Sequence, residues 1–230
     1  IADWSQTSPT VTWIPCGYFT PDEQPRNRTI ITVSALDRMM NFDTTVPTLS
    51  PWTTESGETM RDQLGNILYF CADLVFPATV SSLVEQVCVR CSVPLTQDIS
   101  TLPNASFVVQ EAPKLQQDST FRNIIQWCAG IMGTNAIIDY NGELQFLWYG
   151  SSGYNTTPDR RYSSDLYEND ITVTGITYTD SNQQTYLAGS DNYALDISSN
   201  YLLADLDDTG ISSVLTAIYA TLTGFTYRPF

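Results

Sequence analysis

The sequence predicts an α+β protein, and three observations carry that prediction. Three separate segments repeat one amphipathic-helix stripe, with apolar residues at i, i+3, i+4, i+7, i+8 and i+11. Residues 134–149 place Asn141-Gly142 between two β-rich runs, the signature of a hairpin. Runs rich in β-branched and aromatic residues occupy both ends of the 230-residue chain.

In chain order, residues 10–19 read as a strand whose middle is demoted to an edge or bulge by Pro15. Residues 29–34 alternate as a second strand. A Thr/Ser/Pro-rich stretch follows over 43–57. Met60, Leu64, Ile67, Leu68 and Cys71 follow the helical template loosely, with Gly65 working against a helix there. The first clear stripe is Val80, Leu83, Val84, Val87, Cys88 and Cys91, with Thr79 as N-cap and Pro77 ahead of it. The second is Phe121, Ile124, Ile125, Cys128, Ala129 and Met132, capped by Asp118 or Ser119 and stopped by Gly133. In the hairpin, Asn141-Gly142 predicts a two-residue type I′ turn, and Leu144, Phe146 and Trp148 share one face.

Residues 150–161 are polar and Gly/Ser/Asn-rich, the composition of a connection. Residues 171–179, 184–188 and 193–197 form a second β group. The third stripe is Ile211, Val214, Leu215, Ile218, Tyr219 and Leu222, capped by Asp208 or Thr209 and followed by Gly224. Residues 225–227 add a last strand. The chain therefore divides into three parts: 1–40, 41–150 and 163–230. The first is too short to own a core.

Apolar residues make up 42% and charged residues 15%, a globular balance rather than a disordered one. Asp and Glu number 25 against 10 Lys and Arg, giving a net charge of −15 and a pI near 4.1. Histidine is absent and Lys114 is the single lysine. Triads that need His and His-containing zinc sites are thereby excluded. A Walker-type loop is excluded too, because Lys114 follows Pro113 with no glycine near it. The acidic balance argues against tight nucleic-acid binding. No apolar run approaches the ~20 residues of a membrane span. The first ten residues lack a signal peptide's basic and apolar regions. The chain does not begin with Met, so it is expected to be a piece of something longer.

The five cysteines, Cys16, Cys71, Cys88, Cys91 and Cys128, are an odd set suited to a reducing compartment. Cys88 and Cys91 form a C-x-x-C at the end of a helical pattern, with no second pair to complete a zinc ribbon. They read as core thiols. Three N-x-S/T sequons, at Asn27, Asn104 and Asn155, read as chance matches. Asp205, Asp207, Asp208 and Gly210 fall short of a calcium loop because position twelve is Thr216. They read as acids favouring a helix N-terminus. Arg160-Arg161 is the one basic doublet and reads as solvated linker. Trp127, or Trp148 with Tyr149, would suit either a sugar platform or a packed interior. No carboxylate pair is singled out by spacing. The sequence thus assigns no catalytic, cofactor-binding or metal-ligating residue.

An ordered set of segments resembles one known family. Ile31-Thr32-Val33-Ser34-Ala35-Leu36-Asp37-Arg38-Met39-Met40 resembles the T-A-x-D-x-M segment of phage and prophage tail proteins of the baseplate-hub kind. Cys16-Gly17-Tyr18-Phe19 looks like the strand just upstream. Phe76-Pro77-Ala78-Thr79-Val80 resembles that family's helix start, Leu102-Pro103-Asn104 its F-P-N loop, and Thr120-Phe121-Arg122 through Gly130 its next helix. Asn141-Gly142-Glu143-Leu144 is similar to its hairpin. Thr174-Gly175-Ile176, Asn200-Tyr201-Leu202-Leu203 and Gly224-Phe225-Thr226-Tyr227-Arg228-Pro229 resemble later segments. Residues 44–73 look like an insertion, and Leu202-Leu203 replaces an expected Pro-Leu.

The resemblance implies a structural protein of the tail tip or baseplate hub, without catalysis or cofactor. Such proteins form homotrimers whose barrel domains make a ring continuing the tail tube. The 1–40 part would then be the end of a truncated first β-barrel, 41–150 a two-helix and hairpin domain, and 163–230 a second barrel-like unit carrying one helix. The chain would be cut at both ends. Some relatives carry a downstream peptidase or lysin domain, whose His-containing motif is absent here. Other tail proteins (tube, distal tail protein, spike or lysin) would be its partners. DNA would pass without specific binding, and no membrane would be entered. The site of action would be the virion, after synthesis in the bacterial cytoplasm. An acidic channel wall would repel passing phosphates. Two other functions remain open: a carbohydrate-binding module around Trp148 and Tyr149, and a two-carboxylate hydrolase.

Overall fold

β1 (Thr20–Glu23) pairs antiparallel with β2 (Ser34–Leu36) in the computed structural model, which describes residues 17–23, 34–148 and 171–227. Only Ser34 of the predicted 29–34 strand lies in that range. The 10–19 strand falls almost wholly outside it, and its last three residues are not in a strand. A 3-10 turn at Arg38–Met40 follows, with Asp37 Oδ1 accepting the Met39 N–H at 2.9 Å. It runs into the short α1 (Asn41–Thr44), whose Phe42 is fully buried.

β3 (Leu49–Pro51) and β4 (Tyr69–Cys71) pair antiparallel and bracket residues 52–68. The loose helical stripe over 60–71 does not form a helix. Trp52 N–H donates to Leu68 O at 2.9 Å and Met60 N–H to Trp52 O at 2.9 Å, so the chain doubles back twice. Gly65 at φ +87° and the Asp62 side chain, which accepts from Leu64 and Asn66, impose a turn where the helix would run.

β5 (Ala78–Thr79) leads into α2 (Val80–Cys91), and Thr79 Oγ1 accepts the Ser82 N–H at 3.1 Å, as its cap role predicts. All six stripe residues of α2 are buried. β6 (Val108–Val109) returns to pair with β5. α3 (Phe121–Ile131) also buries its whole stripe, together with Trp127 and Ile131. The wider burial reflects its position against α1, α2 and a later helix. Its cap is Thr120 rather than Asp118 or Ser119. Asn123 Oδ1 accepts the Thr120 N–H at 2.7 Å, while Ser119 Oγ is taken by Gln116 N–H at 3.1 Å.

β7 (Asn135–Ile138) and β8 (Leu144–Leu147) form the predicted hairpin, with Leu144 and Phe146 buried and Trp148 half-buried. The outer edge of β8 is closed by a neighbouring segment. Leu144 N–H donates to Pro94 O at 2.8 Å, and the Gln97 side-chain amide bonds both the N–H and C=O of Phe146.

The second β group contains β9 (Ile171–Thr172), β10 (Gly175–Thr179), β11 (Thr185–Gly189) and β12 (Ala194–Asp196). β10 is central, antiparallel to β11 and parallel to β12. Gly175 faces Gly189 across the ladder, and a Cβ on Gly175 would sit 2.2 Å from Ser190 O. α4 (Asp208–Leu222) packs on β10 and β11. Its cap is Asp207, one residue before the predicted pair, with Oδ1 accepting Gly210 N–H at 2.7 Å. β13 (Thr226–Tyr227) pairs with β9. The α+β class therefore holds, with small sheets of which none among the described residues closes into a barrel.

One turn design recurs at 54–58, 62–66, 139–143 and 180–184. In each, the first residue's N–H donates to the last residue's carbonyl at 2.8–3.0 Å. The first side chain, from Thr54, Asp62, Asp139 or Asp180, accepts the last residue's N–H at 2.8–3.1 Å. The fourth residue has positive φ: Gly57, Gly65, Gly142 and, unusually, Gln183 at +65°. This overturns the type I′ turn predicted at Asn141-Gly142. Such a turn needs positive φ at both residues, and only Gly142 has it. Asp139 captures the N–H groups of Asn141 and Glu143, which lengthens the loop to three residues.

The buried apolar residues form one contiguous cluster, reaching from Phe42 through α2, α3 and β8 to β10 and α4. Two asparagines stitch it. Asn104 Nδ2 donates to Ile131 O at 2.9 Å and to Val214 O at 3.2 Å, joining α3 to α4. Asn200, 3% exposed, donates from Nδ2 to Trp127 O at 2.8 Å and accepts Leu202 N–H at 3.1 Å.

Candidate functional site

The β1–β2 ribbon is exposed, together with Tyr18 and Phe19 just ahead of β1. Tyr18 is 60% exposed, Phe19 55% and Leu36 47%, and residues 34–36 are all exposed. Among the described residues the ribbon has two strands and two unpaired edges. Such edges present rows of N–H and C=O groups ready to pair with another chain.

The ribbon is fixed to the body by the segment that follows it. Arg38 Nη1 donates to Gly142 O at 3.1 Å, and its guanidinium lies 5.5 Å from the Tyr18 ring centroid. Asn41 Nδ2 donates to Cys91 O at 3.2 Å, at the C-terminus of α2. Arg122 Nε donates to both Asp43 oxygens at 2.7 and 2.9 Å, and this hydrogen bonding raises the guanidinium's pKa above its ordinary value. With Phe42 buried beneath them, these contacts make residues 38–43 a clamp. Their partners lie 50 to 104 residues away, which is why the clamp is invisible in the sequence.

The residues singled out in the sequence fall into several settings. Cys71, Cys88, Cys91 and Cys128 are free and buried. Burial pushes Cys88 up to about 12 and Cys91 to about 11, and raises Cys71 and Cys128 as well. These thiols stay protonated at neutral pH and are poor nucleophiles. Cys16 lies outside the described residues.

Asp205, Asp207 and Asp208 do not converge. Asp205 Oδ1 lies 2.8 Å from Lys114 Nζ, Asp207 caps α4, and Asp208 Oδ1 accepts the Tyr186 hydroxyl at 2.7 Å. That hydrogen bond is the chief cause of Tyr186 being raised to about 12. Among the described residues no group of three His, Cys, Asp or Glu side chains is placed to hold a metal ion. No helix there is long and apolar enough to cross a membrane.

Trp127 is buried and meets Tyr201 edge-on at 5.2 Å. Trp148 is half-buried and meets Phe225 edge-on at 5.6 Å, walling an apolar cleft of about 280 Å³ with Ile176, Leu195 and Ile218. Both rings are engaged in packing. Tyr149, Arg160, Arg161, Asn27 and Asn155 lie outside the described residues. The Asn104 sequon nitrogen, the atom a glycan would need, is committed to two carbonyls.

The acidic excess has a local structural use. Asp37, Asp62, Asp73, Asp98, Asp139, Asp180, Asp196 and Asp207 each accept at least one backbone N–H. Hydrogen bonds to Asn66 and to Ser100 hold Asp62 and Asp98, respectively, below the usual carboxylate range. A carboxylate depressed in the folded state stabilises above its unfolded pKa, near ~3.9, and loses that contribution as pH falls through the folded value. Carbon-detected NMR titration is expected to place both midpoints below that of a model aspartate. Midpoints at or above the model value would overturn the role of these hydrogen bonds.

Comparison with protein-family models, with curated proteins and with solved structures finds no match to this chain.

Proposed function

We propose that the chain is a structural subunit that works by assembling with copies of itself, in the setting its sequence resembles, the tip or baseplate hub of a (pro)phage tail. The observation that carries this reading is the exposed β1–β2 ribbon, open at both edges among the described residues and clamped to the core. On this reading the ribbon is part of a barrel completed by further strands, and the 163–230 part supplies a second barrel-like unit. Three copies place these units in a ring continuing the tail tube, beside tube, distal tail and spike or lysin proteins in the virion. The net charge of −15 then keeps passing DNA from adhering to the ring. Trp127 and Trp148, spent on packing, favour this reading over a sugar platform.

Sedimentation velocity on the full-length protein tests it. The expected species is a trimer, and Phe19→Asp with Leu36→Asp is expected to yield monomer with an unchanged circular dichroism spectrum. A wild-type monomer at assembly-like concentrations would overturn assembly. A trimer indifferent to the double substitution would overturn the role of the ribbon.

A further inference from the structure

A second surface lies away from the ribbon, where the chain leaving β6 meets the loop ahead of α4. It is a cleft of about 210 Å³. Buried Val109, Pro113 and Leu202 form its apolar floor, and Leu206 is half-buried beside them. Tyr201, 45% exposed, stands at its side, braced edge-on by Trp127. Glu111 and Asp205 are the acids of its rim. The volume is below the ~300–1,000 Å³ of small-molecule sites, so it suits a single inserted side chain.

The chemistry of the walls selects which side chain. An apolar floor takes a methylene stem, and a carboxylate rim takes a cationic head. The exposed tyrosine ring adds a face for a cation. Glu111 makes no hydrogen bond or ion pair among the described residues, so one carboxylate is uncommitted. Asp205 already demonstrates the contact within the chain, through the Lys114 ammonium at 2.8 Å, and its Oδ2 accepts nothing among the described residues. Charge complementarity points the same way. A chain with 25 acids and 10 basic residues draws basic partners.

We propose that this cleft is a docking site for an arginine or lysine side chain presented by a basic segment of a different protein. The stem lies on Val109, Pro113 and Leu202, and the head sits between Glu111 and Asp205 against Tyr201. The cleft takes such a side chain whether or not the chain forms rings through its ribbon.

The probe is a capped Ala-Arg-Ala peptide, with capped Ala-Gln-Ala as control, titrated into the full chain and followed by amide chemical shifts. The arginine peptide is expected to shift residues 109–113 and 201–206, with weak affinity that falls as salt is raised. Glu111→Gln is expected to weaken it about two- to fivefold, the size of one exposed ion pair, and Tyr201→Ala by about the same factor, the size of one exposed cation–π contact. Lys114→Gln is expected to strengthen it by a similar factor, because it frees Asp205. Equal shifts with the glutamine peptide, or no gain in Lys114→Gln, would overturn the proposal. The same shifts on concentrating the protein alone would assign the cleft to a second copy and overturn the foreign partner. Trimer formation and peptide binding are read separately, so either can fail without the other.

Discussion

Asn200→Ala is expected to lower the unfolding free energy by about 3 kcal/mol. Asn200 is 3% exposed and serves two buried groups, the carbonyl of Trp127 and the N–H of Leu202. Alanine leaves the Leu202 N–H without a partner and takes from the Trp127 carbonyl the bond it accepts besides its helical one, and a buried unsatisfied group costs about 1–3 kcal/mol. The amide also lies against Gly130, where an added Cβ would be 3.2 Å from Nδ2, so its removal opens space between α3 and the 3-10 turn at Tyr201–Leu203. Asn200→Asp is the sharper partner variant. It keeps an acceptor for Leu202 but turns a carboxylate oxygen toward the Trp127 carbonyl, so its cost should be greater at neutral than at acid pH. Urea unfolding of both variants measures these effects. A loss under about 1 kcal/mol for Asn200→Ala would show that water satisfies these groups.

Gly175→Ala is expected to cost about 3 kcal/mol or more. The added methyl would stand 2.2 Å from Ser190 O, 2.8 Å from Ala188 O and 2.9 Å from Ser190 N. All three are backbone atoms, so no side chain can swing aside. β10 and β11 must separate, and α4, which rests on both, loses its seat. Hydrogen exchange should accelerate in β10 and β11 ahead of α2 and α3. Wild-type protection in β10, with wild-type stability, would refute the steric account.

The helices were legible because burial imposes a 3.6-residue period: α2 and α3 bury every residue their stripes name, and α4 all but the half-buried Tyr219. The α2 cap, Thr79, was legible outright, whereas those of α3 and α4 were legible only to within one or two positions. In Asp118-Ser119-Thr120 and in Asp207-Asp208-Thr209 each residue is a competent cap, and tertiary placement chooses among them. The two failures share one cause. At 60–71 apolar spacing suggested a helix, and at 141–142 Asn-Gly suggested a type I′ turn. In both places an aspartate three residues before a glycine takes over the backbone. The signal is Asp-x-x-Gly followed by a polar residue, present at 62–66 and 139–143. At 180–184 Gln183 stands in the glycine position, so composition alone conceals that turn.

The functional surfaces were less legible than the core. The exposure of Tyr18, Phe19 and Leu36 depends on what surrounds them, which no local pattern encodes. Arg38 gained its meaning from a carbonyl 104 residues away, and the acidic cleft from two segments about 90 residues apart, joined by Lys114 and Asp205. Asn104 stood out in the sequence as a sequon, whereas its work is to tie two helices together.

The aspartate-pinned turns carry a consequence for how this molecule can vary. Capping a turn needs an oxygen acceptor and makes no demand on charge, and an asparagine carbonyl is an acceptor of nearly the same shape. At Asp37, Asp62, Asp73, Asp98, Asp139, Asp180, Asp196 and Asp207 an asparagine oxygen would still accept the backbone N–H, although at Asp62 and Asp98 the exchange gives up what ionisation adds. Exchange at all eight would roughly halve the net charge while each bend kept its acceptor. Isoelectric point and electrophoretic mobility are therefore separable from shape in this protein. Natural variants can drift along that axis, and an engineer can dial it, one isosteric exchange at a time.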